Sequence, residues 1–554
     1  MTQLTLQLSI NPAAARHPIS PLIYGINAIG INDEDFNKLS QAIKSPVVRW
    51  GGNATTRYNW ENDFYNTGKD WYFENIPRDN PDRSQLPNNS AADRFIQRNK
   101  AAGTESFITV PIIGWVAKAK AKTENDPNPL GHPYNCGFKV SKYGEQQSTD
   151  PYDPDCGNGI RRSDSSRITG NDPTDTSIAV GPDFIRRWVA HLVKKFGNAS
   201  AGGVRFYGLD NEPGIWFETH RDVYPGYLSY EELLQRNIDY AAAIRQADPN
   251  AQILGPVQDG WTRYFYSSYG SYPDKTAEAD RKAHNGQAFV AWYLTQLYAH
   301  DQQSGKRTID YLNLHYYPQA AGVALSPAGN NTTQALRLRS TRSLWDTSYV
   351  DESWIKDTEN GNTAVQLIPR MRAWVNRHYP GLKLGISEYN FGAIDDINGA
   401  LAQADVLGIF GREDVGLATL WGAKVWNKQP ALTADLPVVF AFRMYQNYDG
   451  QGSKFGDISI PAASADQGQL AIYAAQRSSD GALTLMIINK SDTALSAQID
   501  LGDFIGGESA QHYHYSATDL HSIVKQTDLP ISNGAINGTF AAKSINLLII
   551  AGSI

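Results

Sequence analysis

Residues 204–213 read VRFYGLDNEP, and this stretch decides the fold. The first six residues form a short strand-like run, and Asp210, Asn211 and Glu212 follow where that run ends. A short run of this kind is typical of a buried parallel strand. In a (β/α)8 barrel the functional side chains stand at the carboxyl ends of such strands. The stretch therefore predicts both a barrel strand and a site at its end.

Seven further runs of the same type flank this one: Leu22–Asn27, Val47–Gly51, Ser106–Ile113, Gln252–Val257, Ile309–His315, Leu382–Glu388 and Gly416–Trp421. Segments with helical periodicity separate them, such as Pro182–Phe196 and the segment capped by Ser229. Eight strands alternating with helices predict an α/β fold, a (β/α)8 TIM barrel with long insertions. A doubly wound open sheet is the alternative, but no Gly-rich phosphate loop follows the first strand.

The pattern changes after about residue 450, where short strands follow one another without helical segments. These are Gln469–Ala475, Leu483–Asn489, Ala497–Leu501, His512–Tyr515 and Ser544–Ile550. They predict a smaller antiparallel β-sandwich domain. Residues 4–10 alternate apolar and polar side chains, and we expect this strand to pair within the sandwich. The predicted domains are thus a barrel over 20–450 and a sandwich of 1–19 plus 451–554.

Composition excludes several classes of protein. The chain has 554 residues, more than one hydrophobic core usually serves, and a net charge of −7. It lacks a long basic run, which argues against a nucleic-acid partner. It also lacks a run of eighteen apolar residues, so we expect no membrane-spanning helix. Aromatic residues make up 11% of the chain, which suits a protein that stacks its rings on the flat faces of a ligand. We also expect the protein to be a monomer.

The cysteine content bears on the compartment. Cys136 and Cys156 are too few for a zinc cage, but they suit one disulfide in an exported protein; two free thiols remain the alternative. No signal peptide is visible in this chain. We expect a secreted or periplasmic protein whose leader lies outside this sequence, with an intracellular protein as the alternative.

Two glutamates stand at predicted strand ends, Glu212 after the fourth strand and Glu388 at the end of the seventh. Hydrolysis of a glycosidic bond needs one carboxylic acid to protonate the leaving oxygen and a second carboxylate to attack the sugar or activate water. The fourth and seventh strands lie roughly opposite each other in an eight-stranded barrel. The sequence therefore predicts a glycosidase with these two catalytic carboxylates.

Longer motifs around these glutamates resemble glycoside hydrolase family 44: Tyr207–Pro213 continuing through Trp216 to His220, Ser387–Asn390, Tyr58–Asn62, Ser343–Asp346 followed by Tyr349, and Ser353–Ile355. The Asn-Glu pair on strand four, with a Glu on strand seven, also resembles the wider clan A of retaining glycosidases. The resemblance implies an endo-acting β-1,4-glucanase that accepts cellulose-type glucan, xyloglucan and sometimes xylan. It implies retention, with Glu212 as acid/base and Glu388 as nucleophile.

The resemblance also implies roles for neighbouring residues. Asn211 would bind the sugar 2-hydroxyl, His315 and Tyr317 would orient the nucleophile, Arg49 would keep it ionised, and Trp421 would form a floor under one sugar ring. The alternatives are core packing for Trp421 and His315 and a structural ion pair for Arg49.

Loop tryptophans are further candidates for substrate binding. Trp60, Trp71 and Trp216 fall in predicted loops, where a large aromatic ring is less readily explained by packing. We expect these rings to stack on sugars.

Clustered carboxylates suggest a metal site that is not needed for the chemistry. Asp150, Asp153 and Asp155 fall within six residues, and hard cations such as calcium bind clustered carboxylate oxygens. The family resemblance implies a structural calcium, with Glu61 as a further ligand. Asp-Pro is also an ordinary turn former, and the spacing matches no EF-hand. We expect no cofactor for catalysis.

Two other functions stay open at the level of sequence. An exo-acting clan A glycosidase is one, since the long insertions over 116–180 and 318–360 can build either a cleft or a closed pocket. A carbohydrate-binding barrel without catalysis is the other, although both glutamates are present.

Overall fold

The computed structural model describes residues 5–28, 30–120, 130–268, 278–359, 361, 363–425 and 428–552. Leu4, the first residue of the predicted N-terminal strand, lies outside them. The strands, numbered in chain order, are β1 (Leu6–Ile10), β2 (His17–Pro18), β3 (Gly25–Asn27), β4 (Val47–Trp50), β5 (Phe64–Asn66), β6 (Asn75–Pro77), β7 (Glu105–Val110), β8 (Trp115–Ala117), β9 (Ser177–Ala179), β10 (Phe206–Leu209), β11 (Gln252–Gln258), β12 (Tyr311–Tyr316), β13 (Lys383–Tyr389), β14 (Leu417–Trp421), β15 (Ile458–Ile460), β16 (Ala462–Ser464), β17 (Leu470–Gln476), β18 (Leu483–Asn489), β19 (Leu495–Asp500), β20 (Gly506–Ser516), β21 (Asp519–Ser532), β22 (Ala535–Phe540) and β23 (Ser544–Gly552).

The helices are α1 (Asp33–Ile43), α2 (Ala91–Ala101), α3 (Val140–Tyr143), α4 (Pro182–Phe196), α5 (Trp216–Thr219), α6 (Tyr230–Ala247), α7 (Trp261–Phe265), α8 (Ala279–Ala283), α9 (Phe289–Ser304), α10 (Asn331–Ser340), α11 (Leu367–His378), α12 (Ile397–Arg412) and α13 (Pro437–Gln446). Two follow their local signals closely. Helix α4 has the predicted bounds, and α6 begins after Ser229, whose side chain accepts from the backbone N–H of Glu232 at 3.2 Å.

Eight strands close into the predicted barrel in the order β10-β11-β12-β13-β14-β3-β4-β7, which rules out the open sheet. Strand β10 pairs in parallel with both β7 and β11. One predicted strand is only half formed. Pro21–Tyr24 is a 3-10 turn, and the strand covers only Gly25–Asn27. The Ser20 hydroxyl accepts from the N–H of Leu22, and proline fits the first position of a helical turn, so local capping prevails there.

The C-terminal strands form one eleven-stranded sheet, ordered β16-β1-β19-β22-β21-β20-β23-β18-β17-β15-β2. Strand β1 joins it as expected, parallel to β19 and antiparallel to β16. Side chains from distant parts of the sheet share one core, as a sandwich requires; it includes Leu8, Ile472, Leu485, Ile499, Ile536 and Leu548. Strands β21 and β22 were not predicted, because β21 is mostly exposed and lacks an alternating apolar face.

The chain divides into two compact units. The first unit comprises residues 1–47, 317–373 and 388–554, and the second comprises 48–316 and 374–387. The predicted domain boundaries near residues 20 and 450 stay a prediction. In the second unit, Cys136 and Cys156 form a disulfide, which settles the pairing that the sequence left open. None of the helices in the described ranges is both long and apolar enough to cross a membrane.

A buried ion pair joins the sandwich strands to a barrel helix within the first unit. The Lys490 ammonium lies 2.7 Å from a carboxylate oxygen of Asp405 in α12, and both side chains are almost fully buried. The hydroxyls of Thr341 and Tyr473 donate to the same carboxylate at 2.6 and 2.8 Å. Because every acceptor is occupied, the charge on Asp405 is compensated inside the protein.

Removing the cation should expose the cost of this buried carboxylate. We expect Lys490→Met to lower the free energy of unfolding by about 3 kcal/mol or more, because it leaves Asp405 buried without its counter-ion. Urea denaturation followed by circular dichroism measures the change. Lys525→Met, at an exposed lysine of the same sheet, should stay within about 0.5 kcal/mol of the parent protein. Equal effects of the two substitutions would show that the pair does not stabilise the fold.

Candidate active site

The backbone after β10 is bent sharply to place Glu212. Asp210 and Glu212 have φ of 71° and 50°, values that non-glycine residues rarely adopt. The Asp210 carboxylate accepts from the backbone N–H groups of Ile112 at 2.6 Å and Asn211 at 2.7 Å. The N–H of Glu212 donates to the carbonyl of Val257 at 3.0 Å. These bonds hold a strained turn at the strand end, where strain often marks a functional site.

The surroundings of Glu212 favour the neutral form of its carboxyl. Its side chain is 15% exposed, and one oxygen lies 2.8 Å from Nδ1 of His315. Burial raises the pKa of Glu212 to about 8, and the negative charge of Asp259 adds to the shift while Arg49 opposes it. A neutral carboxyl at this position can donate a proton, as a general acid must.

His315 links Glu212 to the strand that carries the second glutamate. The ring is fully buried on β12, and Nε2 lies 3.1 Å from the hydroxyl of Ser387. The amide of Asn313 donates to that same hydroxyl at 2.8 Å, and the Tyr264 hydroxyl donates to the carbonyl of His315. The histidine therefore contacts the predicted acid and the residue directly before Glu388.

Arg49 and Asn211 complete the arrangement in the second unit. The guanidinium of Arg49, fully buried on β4, donates to the side-chain oxygen of Asn211 at 2.9 Å and to the carbonyl of Ser387 at 3.5 Å. The N–H of Gly52 donates to the same Asn211 oxygen at 3.1 Å, and the Asn211 amide donates to Asn53 at 3.0 Å. The second unit thus brings together Arg49, Asn211, Glu212 and His315.

The first unit holds the remaining predicted site residues. The Tyr317 hydroxyl donates to a carboxylate oxygen of Glu388 at 2.9 Å, and Glu388 is 5% exposed. Trp421 is partly buried at the end of β14, and its carbonyl accepts from the amide of Asn390 at 2.8 Å. Tyr317 directly follows β12, and Glu388 is the second-last residue of β13. Both side chains therefore stand at carboxyl ends of barrel strands.

The structure contradicts the predicted sugar stacking of two of the three loop tryptophans. Trp216 is completely buried against Tyr224, with ring centroids 5.4 Å apart. Trp60 is 6% exposed and packs on Phe184 and His191. A buried indole presents no face to a sugar, so stacking is wrong for both; the loops around them fold inward and cover their apolar rings. Trp71 is 38% exposed and stays a candidate.

Sequence reasoning missed two acids near Glu212. Asp259 directly follows β11, and burial raises its pKa. Asp70, an exposed residue, accepts from the amide of Asn53 at 3.1 Å, and its charge also acts on Glu212. The strand-end rule that found Glu212 also points to Asp259, whereas no local pattern marks Asp70.

The predicted metal ligands divide into two groups. Glu61 pairs with Arg187, and the carboxylate of Asp155 accepts from the backbone N–H and the hydroxyl of Ser141 at 2.7 and 2.9 Å. Arg187 and Ser141 occupy the carboxylates of Glu61 and Asp155, so the prediction that these two residues bind a metal is wrong. Asp150 and Asp153 remain, both buried.

A third acid, Glu74, lies beside Asp150. Both carboxylate oxygens of Glu74 and one of Asp150 are buried without a hydrogen-bond partner in the described part of the chain. One ligand atom each of Glu74, Asp150 and His132 lies within 4.8 Å of the others. Burial and the charge of Asp150 raise the pKa of Glu74 to about 9. Clustered, unpartnered carboxylate oxygens fit a hard cation.

A barrel with a mostly buried glutamate at one strand end and a second glutamate at another has the architecture of the barrel glycoside hydrolases. The model of glycoside hydrolase family 44 matches residues 64–320. The chain belongs to this family.

Solved structures and curated relatives agree with the family. CelM2, a bifunctional glucanase-xylanase from a metagenome library, is 38% identical with a TM-score of 0.88, covering 99% of both chains. A family 44 xyloglucanase from Paenibacillus polymyxa is 28% identical with a TM-score of 0.78, again over 99% of both. Endoglucanase A from Paenibacillus lautus is 31% identical over 89% of this chain. The chain spans 65% of the length of that relative, and 40% of the beta-mannanase/endoglucanase A from Caldicellulosiruptor saccharolyticus, which is 27% identical over 99% of this chain.

The pKa of Glu212 should depend on Asp259. We expect Glu212 to titrate near pH 8 and its pKa to fall in Asp259→Asn, because removing a nearby negative charge makes ionisation easier. Carbon-13 NMR of side-chain-labelled glutamate, with the signal assigned through Glu212→Gln, measures both values. Asp239→Asn, at an exposed position on α6, should leave the titration unchanged. An ordinary pKa near 4.5 in the parent protein would contradict the assigned environment.

Proposed function

We propose that this protein is a retaining, endo-acting hydrolase of β-1,4-linked glucans, with Glu212 as acid/base and Glu388 as nucleophile. The observation that carries the proposal is the position of Glu212 at a barrel strand end, with one carboxyl oxygen 2.8 Å from Nδ1 of His315. That histidine reaches the residue before Glu388, and burial raises the pKa of Glu212 to about 8, which favours the neutral acid. A neutral acid and a second carboxyl are the two groups that glycoside hydrolysis requires.

The reaction proceeds in two displacements. Glu388 attacks the anomeric carbon while Glu212 donates its proton to the departing glycosidic oxygen, which breaks the bond and forms a glycosyl ester on Glu388. Glu212, now ionised, takes a proton from water as the water attacks the same carbon. The ester breaks, Glu388 leaves as a carboxylate, and the sugar keeps its original anomeric configuration.

Neighbouring side chains support these steps. The Tyr317 hydroxyl donates to one carboxylate oxygen of Glu388 and so orients the nucleophile. Arg49 holds Asn211 by its oxygen, which turns the amide N–H groups toward a sugar hydroxyl and toward Asn53. We assign the floor of one sugar site to Trp421, which is partly exposed at a strand end.

The substrate range follows from the relatives. CelM2 is described as a glucanase-xylanase and the Paenibacillus polymyxa protein as a xyloglucanase. We extend cellulose-type glucan, xyloglucan and xylan to this chain as substrates. The disulfide between Cys136 and Cys156 supports export to a secreted or periplasmic location, since such bonds persist in oxidising compartments. The monomeric state stays a prediction.

We also propose a structural calcium held by Glu74, Asp150 and Asp153. The buried, unpartnered oxygens of Glu74 and Asp150 support it, because like charges buried together require a cation to remain ionised. When bound, the ion supplies only charge neutralisation in the loop that the disulfide closes.

Removing the nucleophile gives the first test of function. Glu388→Gln should lower kcat on a soluble β-1,4-glucan at least about 1,000-fold, because the amide cannot form the ester. Reducing-sugar release measures the rate, and circular dichroism checks the fold. Glu145→Gln, at an exposed glutamate, should keep full activity. NMR of the first product should show the β-anomer, and a rapid fall in viscosity should show endo-cleavage; an initial α-anomer would exclude retention.

The calcium proposal predicts a metal-dependent stability. Saturating calcium should raise the Tm of EDTA-treated protein by about 5 °C or more, because it binds only the folded state. Differential scanning calorimetry measures the shift. Glu74→Gln should abolish it, whereas Glu61→Gln should keep it. The reverse pattern would restore Glu61 as the ligand, and no shift in the parent protein would exclude the site.

A further inference from the structure

A cavity of about 410 Å³ opens beside Trp71 in the second unit, and its walls carry both aromatic rings and charges. We call it the Trp71 cavity; its lining includes Lys69, Trp71, Tyr72, Arg167, Glu218 and Arg221. Its size falls in the range of small-molecule sites. The residue Trp71 is 38% exposed, so part of its side chain is accessible to a ligand.

Positive charge exceeds negative charge in this cavity. Lys69 and Arg167 both bind a single carboxylate, that of Glu218, at 3.1 and 3.2 Å. Arg221 contributes a third cation. Asp70 is the other acid in the wall, so three cations face two carboxylates. The cavity therefore favours an anion.

Arg221 shows where that anion would bind. Its residue is 8% exposed, and its guanidinium lies over the rings of Phe138 and Phe73 at 4.4 and 5.0 Å, which fix its plane. One terminal nitrogen donates to the carbonyl of Asn158 at 2.7 Å. The other, Nη1, is buried without a hydrogen-bond partner among the described residues. Burial and the charge of Arg167 lower the pKa of Arg221 to about 10, so it still carries its charge at neutral pH.

Among the described residues, the acids that act most strongly on Arg221 are already bound by other cations. The two carboxylates that act on it most strongly are those of Asp222 and Glu218. Asp222 is bound by the buried guanidinium of Arg57 at 2.7 Å, and Glu218 is shared by two other cations. A buried cation with an open donor is costly unless a ligand supplies the acceptor.

The Trp71 cavity is also connected to the proposed acid/base. The amide of Asn53 donates to Asp70 in the cavity wall at 3.1 Å, and the Asn53 oxygen accepts from Asn211, the residue before Glu212, at 3.0 Å. Two hydrogen bonds thus separate the wall from the catalytic loop.

We propose that the Trp71 cavity is a subsite for a uronic acid substituent of the polysaccharide, with the sugar ring on Trp71 and its carboxylate on Arg167 and Arg221. The proposal rests on the proposed hydrolysis of β-1,4-linked chains and names acidic xylans as a substrate class. Arginine suits this role because its planar edge matches a carboxylate with two parallel hydrogen bonds.

Binding to a catalytically inactive protein tests the subsite. Isothermal titration calorimetry on Glu388→Gln compares xylotetraose carrying one glucuronic acid with unsubstituted xylotetraose. We expect the acidic oligosaccharide to bind about tenfold more tightly, the effect of a pair of charge-assisted hydrogen bonds. Adding Arg167→Gln should reduce the preference to about twofold or less. Adding Arg186→Gln, at an arginine of α4 outside the cavity, should keep it.

Several outcomes would overturn the subsite. Equal affinities for the two oligosaccharides would do so, and so would a preference that survives both Arg167→Gln and Arg221→Lys. Inorganic phosphate or free glucuronate binding as tightly as the acidic oligosaccharide would show a general anion site instead. Wild-type activity on neutral β-1,4-glucan, measured in parallel, separates the proposals: its absence contradicts the hydrolase, whereas its presence with equal affinities contradicts only the subsite.

Discussion

The burial of one carboxyl group, that of Glu212, is the constraint on which the rest of the site depends. Burial raises its pKa to about 8, so the folded protein holds a proton that the unfolded chain releases at much lower pH. Folding therefore takes up a proton between pH 4.5 and 8, and this group makes the protein less stable as pH rises through that window. Contacts elsewhere in the fold offset this loss of stability.

Two features of the barrel hold Glu212 in place. The strained turn after β10 is pinned by the Asp210 carboxylate, and His315 on β12 fixes the acid from the side. His315 is itself held through its backbone carbonyl and through Ser387. The bonds of Asp210 with Ile112, and of His315 with Glu212 and Ser387, each connect the ends of two barrel strands, so closure of the barrel brings these groups around the acid.

Sequence patterns predicted the barrel well because its strands are short buried runs, and segments with helical periodicity separate them. The strand-end rule located Glu212 and Glu388 for the same reason, since position in the chain fixes which end of a strand a residue occupies. Exposed strand β21 escaped prediction because it lacks an apolar face. Trp60 and Trp216 were misjudged because whether a loop folds inward depends on its tertiary neighbours, here Phe184 and Tyr224.

The residues proposed to bind a metal were likewise only partly predictable from the sequence. Asp150 and Asp153 are close in sequence and were found together, whereas Glu74 is distant in the chain and reaches them only where its backbone pairs with Cys136, one end of the disulfide. Glu61 was chosen from a motif, but its side chain turns to Arg187 on α4. Contacts between residues so far apart in the chain leave no local pattern in the sequence, so Glu74 was not predicted and Glu61 was predicted wrongly.

Covalent trapping tests the central assignment most directly. A 2-deoxy-2-fluoro glycoside with a good leaving group slows the breakdown of a glycosyl ester, and peptide mass spectrometry then identifies the labelled residue. We expect one glycosyl group on Glu388. Label on any other residue, or no label while the substrate is still consumed, would contradict it.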